Sequence, residues 1–305
     1  MSRSSFVITL PELIRIRATG SDRTKFLHNF CTNDISGTAA GRWREAFFTN
    51  VKARILAHGF VMASEDEHEI WMLPGDEQML LSHLNRYIIT EDVVFESVTA
   101  GSAAIAVVGN TPVSVSDGMP PESGQWADVV VDDAHVRCLR SDWAGRPVAL
   151  MSGPRQNIRT LYSRVVETVP PGELADLERL RILERFPLIG RDLSDDHLAP
   201  EAGRNRSAIC YTKGCYLGQE PIARIDAMGQ VNRILAAVEI QVAVEDSESA
   251  YELSSFDDTE SPAVGLAVIR TSSVSPSPMV VRTSDGRSFS AIVPQPEGVN
   301  GAGNR

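Results

Sequence analysis

Residues 211 to 226 read YTKGCYLGQEPIARID, and the fold follows from how this stretch is read. Lys213, Gly214 and Cys215 are expected to end a strand, and Leu217 or Gly218 to open a helix. Cys215 then stands beside a helix start, where unpaired N–H groups, the positive end of the peptide dipoles and a neighbouring ammonium all favour a thiolate. Lysine is scarce: of the 29 basic residues only Lys25, Lys52 and Lys213 are lysines. A compact ammonium beside the cysteine is therefore a choice over the planar, always charged fork that this chain uses elsewhere. A free cysteine more commonly packs as a small hydrophobe, so spacing alone leaves both readings open.

The 305 residues suit about two domains. With 43% hydrophobic and 23% charged residues the composition is that of a folded protein, not a disordered one. A net charge of −11 argues against direct nucleic-acid binding, which needs a basic surface. The arginines concentrate in the middle of the chain, so an anionic ligand is expected there. No apolar run approaches the ~18 residues of a membrane helix, and the opening MSRSSFVITLPEL lacks a signal-peptide centre. A cytoplasmic protein is expected, with no membrane partner. Cys31, Cys138, Cys210 and Cys215 form no C-x-x-C pair and have no histidine at zinc spacing, so no metal site is expected and any cysteine chemistry is that of a thiolate. No Walker loop, dinucleotide fingerprint or Ser/His/Asp order is present.

Outward from the motif, periodicity predicts a helix from Ser21 or Asp22 to about Asn33, strands over 43–49, 55–62, 69–73, 93–98 and 104–108, and a helix over 77–87. Residues 110–128 read as a surface loop, 154–169 and 173–185 as helices, and 186–205 as irregular, a length that is usually functional inside a compact domain. Beyond Gly229, short strands over 233–242, 263–270, 279–283 and 288–293, with an acidic loop over 245–260, suggest a small barrel. The pattern is α+β rather than a repeated βαβ unit.

KGCYLGQE resembles the KGCYTGQE signature of the YgfZ-type folate-binding proteins, relatives of the aminomethyltransferase (T-protein) of glycine cleavage. FLHNFCTNDI (26 to 35), FFTNVKARILAHGFV (47 to 61), YIITEDV (87 to 93), RILERFPLIGRDL (181 to 193), Pro200-Glu201 and GQVNRIL (229 to 235) resemble the same family. The resemblance spans roughly residues 6 to 295. Leu217 replaces the usual threonine, and the cysteine puts the chain on the YgfZ side, since T-proteins lack it.

The resemblance implies an aminomethyltransferase-like fold: two interleaved α+β subdomains over 1–228 (101–170 mostly in the second) around a central cleft holding tetrahydrofolate, a C-terminal β-barrel over 229–295, and a flexible tail over 296–305. It implies an accessory role in assembling or repairing iron-sulfur enzymes, including a tRNA-modifying one, through client enzymes or cluster-assembly proteins. Glu184 would hold the pterin, because one carboxylate can accept both the ring N–H and the 2-amino group. A surface pair with Arg181 or Arg185 is the plainer reading. Asp92 would orient the folate or act in catalysis, or be a turn residue. Arg224 would reach the glutamate tail or pair with Glu220. Tyr216 and Trp43 would stack on the ring or serve as core, and Gln219 completes the expected folate set. Cys215 and Lys213 carry the thiol chemistry. A folate-dependent aminomethyl transferase or demethylase is the enzymatic alternative, and an interaction module with a vestigial pterin site is the third reading.

Overall fold

Ile14, Ile16 and Ala18 alternate with Arg15, Arg17 and Thr19, and this period of two makes a strand that buries one face. The computed structural model describes residues 5–109, 119–120, 122–229, 231–245, 247–274 and 277–294. The chain begins with β1 (Phe6–Leu10), β2 (Ile14–Thr19), α1 (Arg23–Phe30), β3 (Trp43–Thr49), β4 (Ile55–Ala63), β5 (His68–Met72), α2 (Glu77–Asn85) and β6 (Val94–Ser97). Strands β3-β4-β5-β2-β6 form one antiparallel sheet. Phe26 and Leu27 of α1 and Leu80 and Leu84 of α2 pack on its outer face.

A second antiparallel sheet, β1-β7-β10-β9-β8, adds β7 (Ser102–Val108), β8 (Trp126–Val131), β9 (Ala134–Trp143) and β10 (Arg146–Pro154). Because β1 pairs with β7 across the whole of the first sheet's sequence, the two α+β layers interleave. α3 (Arg155–Val165) covers this sheet with Ile158, Leu161 and Val165. The inner faces of both sheets meet α4 (Leu174–Glu184) in one apolar core that holds Phe60, Trp71, Trp143 and Phe186, each no more than 1% exposed.

Two short helices, α5 (Asn205–Ala208) and α6 (Gln219–Met228), lead to β11 (Arg233–Ala243), β12 (Tyr251–Asp257), β13 (Val264–Arg270), β14 (Met279–Arg282) and β15 (Ser288–Ile292). These five close into a barrel, as the aminomethyltransferase resemblance implies. Arg181 of α4 pins it: its guanidinium donates to Asp192 at 2.7 Å, to Ser255 at 2.6 Å and to the Phe186 carbonyl at 2.7 Å.

The predicted strands and helices of the first half stand within a few residues, whereas several segments differ. β1, β2, β9 and β10 had no assignment. β12 lies inside the stretch read as an acidic loop, because Leu253 and Ser255 turn inward while the acids stay at the ends. β8 starts at Trp126, inside the stretch read as surface loop; residues 110–118 and 121 of that stretch lie outside the described residues, as does the expected tail. Lys213, Gly214 and Cys215 end no strand; they form an irregular loop.

Candidate functional site

α1 ends at Phe30, and its last carbonyl groups need donors. Lys213 supplies them from far along the chain: its ammonium donates to the carbonyls of His28 at 2.5 Å, Cys31 at 2.8 Å and Asn33 at 2.7 Å. The Tyr216 ring lies 4.8 Å below. Three convergent acceptors match the three donors of an ammonium, which explains a lysine in an arginine-rich chain. Burial pulls the Lys213 pKa below its ordinary value, opposed by the nearby Cys31, Asp34 and Cys210. The ammonium therefore belongs to the Cys31 and Cys210 side of the loop and acts as a clamp on the chain.

The clamp holds the cysteine loop against α1. Leu217 N–H donates to the Asn29 carbonyl at 2.8 Å, Cys210 N–H to the Thr32 carbonyl at 2.9 Å, and Asn33 reaches both Glu45 O and Ser207 O at 2.8 Å. Gly218, at φ +82°, caps α6; a Cβ there would meet Asn50 O at 2.6 Å, so only glycine fits. On this fixed loop Cys215 is exposed, Cys210 is half-buried, and Cys31 and Cys138 are buried. Burial raises the Cys31 thiol pKa against the pull of Lys213, and pushes Cys138 up to about 12. Cys215 stands four residues before the first residue of α6, Gln219.

The expected folate residues do not gather in one place. Glu184 ends α4 and lines a polar hollow of about 320 Å³ with Trp43, Glu45, Asp142 and Arg204. Asp92 is exposed, accepts from Ser21 N–H at 2.8 Å, and gives its own N–H to Asp22 at 2.8 Å; the Ser21 bond holds its carboxyl below the usual range. It lies just ahead of β6, against the Ser21–Asp22 turn that precedes α1, and is not among the residues lining that hollow. Arg224 is exposed on α6 and forms no pair with Glu220. Tyr216 is buried among Phe47, Ile55 and Ile222, which raises its phenol pKa, and Trp43 donates to the Arg140 carbonyl at 2.9 Å while its edge meets Phe60.

Glu184 pairs with neither Arg181 nor Arg185, and its partner is Arg204, a residue that sequence reasoning passed over. Arg204 donates Nε to Glu45 Oε1 at 2.7 Å and Nη2 to Glu45 Oε2 at 2.6 Å, and Nη1 to Glu184 Oε1 at 2.8 Å and to its carbonyl at 2.7 Å. His58 Nε2 lies 2.8 Å from Glu45 Oε1. Burial would raise the Glu45 pKa, yet the bonds and charges of Arg204 and His58 outweigh it and hold the carboxyl at about 2. The other Glu184 oxygen accepts Ala144 N–H at 2.9 Å. Each Glu184 oxygen thus already accepts a hydrogen bond within the protein, Oε1 from Arg204 and Oε2 from Ala144. Arg204 stands inside a segment read as irregular, and nothing local to it names Glu45 or Glu184 as its partner.

No family model matches the chain. It is 26% identical over 250 residues to a putative chloroplastic transferase of Arabidopsis thaliana, covering 78% of this chain and 57% of the relative. It is 28% identical over 244 residues to the mitochondrial iron-sulfur cluster assembly factor IBA57 of Homo sapiens, covering 74% and 63%. The matched part therefore spans less than two thirds of each of these two relatives. The tRNA-modifying protein YgfZ of Colwellia psychrerythraea is 19% identical over 242 residues, covering 78% and 72%. In fold the chain matches the glycine cleavage system aminomethyltransferase T of Bartonella henselae, with a TM-score of 0.79 at 15% identity, over 96% of this chain and 86% of that one. No helix among the described residues is long and apolar enough to cross a membrane.

Proposed function

We propose that this chain, which is similar to an iron-sulfur cluster assembly factor and to the tRNA-modifying protein YgfZ and shares the aminomethyltransferase fold, serves the assembly or repair of iron-sulfur enzymes, with Cys215 lending its thiolate to a cluster in transit. The observation that carries the reading is the contrast among the cysteines: one exposed thiol on a loop clamped by Lys213, against two thiols sealed in cores. A cluster takes about four protein ligands, and among the described residues no group of three or more His, Cys, Asp or Glu side chains is placed to hold a metal ion. A partner, either a client enzyme or a cluster-assembly protein, supplies the rest. The two relatives named for iron-sulfur assembly and for tRNA modification support this direction. tRNA is reached through a client enzyme, and the proposed compartment is the cytoplasm.

Tetrahydrofolate takes no step in this proposal, because the Glu184 carboxylate is committed to Arg204 and Ala144. The aminomethyl-transfer alternative is not favoured, since the Asp92 carboxylate is bound to the Ser21 amide at the protein's edge. The test is complementation of a strain that lacks the chain, reading the activity of an iron-sulfur-dependent tRNA-modifying enzyme. Wild type and Cys210→Ser restore it and Cys215→Ser does not. Full rescue by Cys215→Ser overturns the reading.

A further inference from the structure

We propose that Arg204 is a built-in substitute for the pterin edge, so that this chain keeps the aminomethyltransferase scaffold while excluding reduced folate from it. The proposal does not depend on Cys215, and its failure would leave the proposed function untouched.

The argument starts from chemistry. The part of a pterin that a carboxylate grips is a guanidine fragment: a ring N–H and an exocyclic amino group held side by side in one plane. An arginine side chain ends in the same fragment, carrying a full positive charge in addition. A carboxylate that can hold one can hold the other in the same bidentate way, and the charged version makes the stronger bonds.

The structure puts that fragment where two carboxylates meet. Arg204 spans Glu45 through Nε and Nη2 and reaches Glu184 through Nη1. Its guanidinium carbon lies 5.7 Å from the Phe186 ring centroid, within reach of a cation–π contact. Arg204 is 9% exposed and Glu45 4%, so the pair is shielded from solvent. Around it the core is filled by the chain's own rings, with Phe186 stacked on Phe60 at 5.4 Å and on Trp143 at 5.1 Å. A dissolved pterin offers only neutral donors. To reach Glu184 Oε1 it would have to displace the charge-assisted Nη1 bond, for which its neutral donors are weaker substitutes, while Nε and Nη2 keep Arg204 fixed on Glu45.

Tetrahydrofolate, kept reduced under ascorbate without oxygen, is titrated into the full chain and followed by tryptophan fluorescence and calorimetry. Wild type is expected to show no saturable binding. Arg204→Lys, which keeps a positive charge but has no fork, and the pair Glu45→Gln with Arg204→Ala, which removes the charge that would otherwise be stranded, are expected to gain it. Adding Glu184→Gln to either is expected to abolish the gain. Thermal unfolding of each variant establishes that it is folded. Saturable binding by wild type that Glu184→Gln weakens tenfold or more overturns the proposal outright. Silence from a folded variant lacking the Arg204 fork overturns it as well, because the vacated space would then not be shaped for a pterin.

Discussion

The Lys213 ammonium and the Cys31 carbonyl oxygen lie 2.8 Å apart across 182 residues of chain. With the bonds to His28 and Asn33, this contact ties the loop that carries Cys215 to the end of α1. A lysine expected to tune a thiol thus does its work by fixing backbone. Its charge also complements the negative end of the α1 dipole.

Removing that clamp strands three carbonyl groups. Lys213→Met is expected to cost about 3 kcal/mol, within the range for buried acceptors that lose a charged donor. Arg is expected to be a poor replacement, because a planar fork cannot meet three carbonyls that converge on one point. Chemical denaturation measures the loss, and hydrogen exchange is expected to rise first at Cys210 and Leu217, whose amides knit the loop to the end of α1, and at Cys31, whose amide closes the last turn of α1 on Leu27. Equal stability for Lys213→Met would refute the clamp.

Cysteine labelling gives a direct reading of the cores. Under native conditions iodoacetamide is expected to modify Cys215 first, Cys210 more slowly, and Cys31 and Cys138 only on unfolding, since both are buried and burial raises both thiols. Mass spectrometry of timed samples resolves the order. Early labelling of Cys138 would contradict the packing of the second sheet.

Acid sensitivity should report on the Glu45 cluster. The folded-state pKa of Glu45, about 2, lies below its ordinary 4.5. Folding therefore favours the ionised form; the stability it contributes is complete above about pH 4.5 and is lost as pH falls from there towards 2. Glu45→Gln is expected to lower stability at neutral pH and to flatten its decline across that window. Unfolding free energies measured along the pH series decide it, and an unchanged slope would show that Glu45 does not report the pair.

Arg181 and Arg179 of α4 both hold the barrel, Arg181 through Asp192 and Ser255 and Arg179 through Asp257 and the Pro262 carbonyl. Arg181→Met leaves the fully buried Asp192 carboxylate without its cation and is expected to cost about 3–5 kcal/mol. Asp192 would keep the hydroxyls of Ser254 and Ser255, at 2.7 and 2.5 Å. Faster hydrogen exchange along β12 together with the lowered unfolding midpoint is the expected signature. A variant of wild-type stability would move the attachment to the Arg179–Asp257 pair and the apolar contacts.

Local pattern alone determined a good deal here. The short apolar runs within Trp43–Thr49 and Ile55–Ala63 and the apolar stripe of Glu77–Asn85 depend on neighbours close in sequence, so those elements were legible, as was the barrel from its spaced short strands. The KGCYLGQE motif marked the loop that exposes Cys215, because a cysteine between two turns is a local feature. What the tertiary structure alone decided is who meets whom. Lys213 finds α1, and Arg204 finds Glu45 across 159 residues and Glu184 across 20, while Asp92 is drawn to the Ser21 turn 71 residues away. A charged side chain carries no periodicity that names its partner. Its partner is set by which ends of distant elements the packing of two sheets brings together, and by the high cost of burying any charge that arrives there alone.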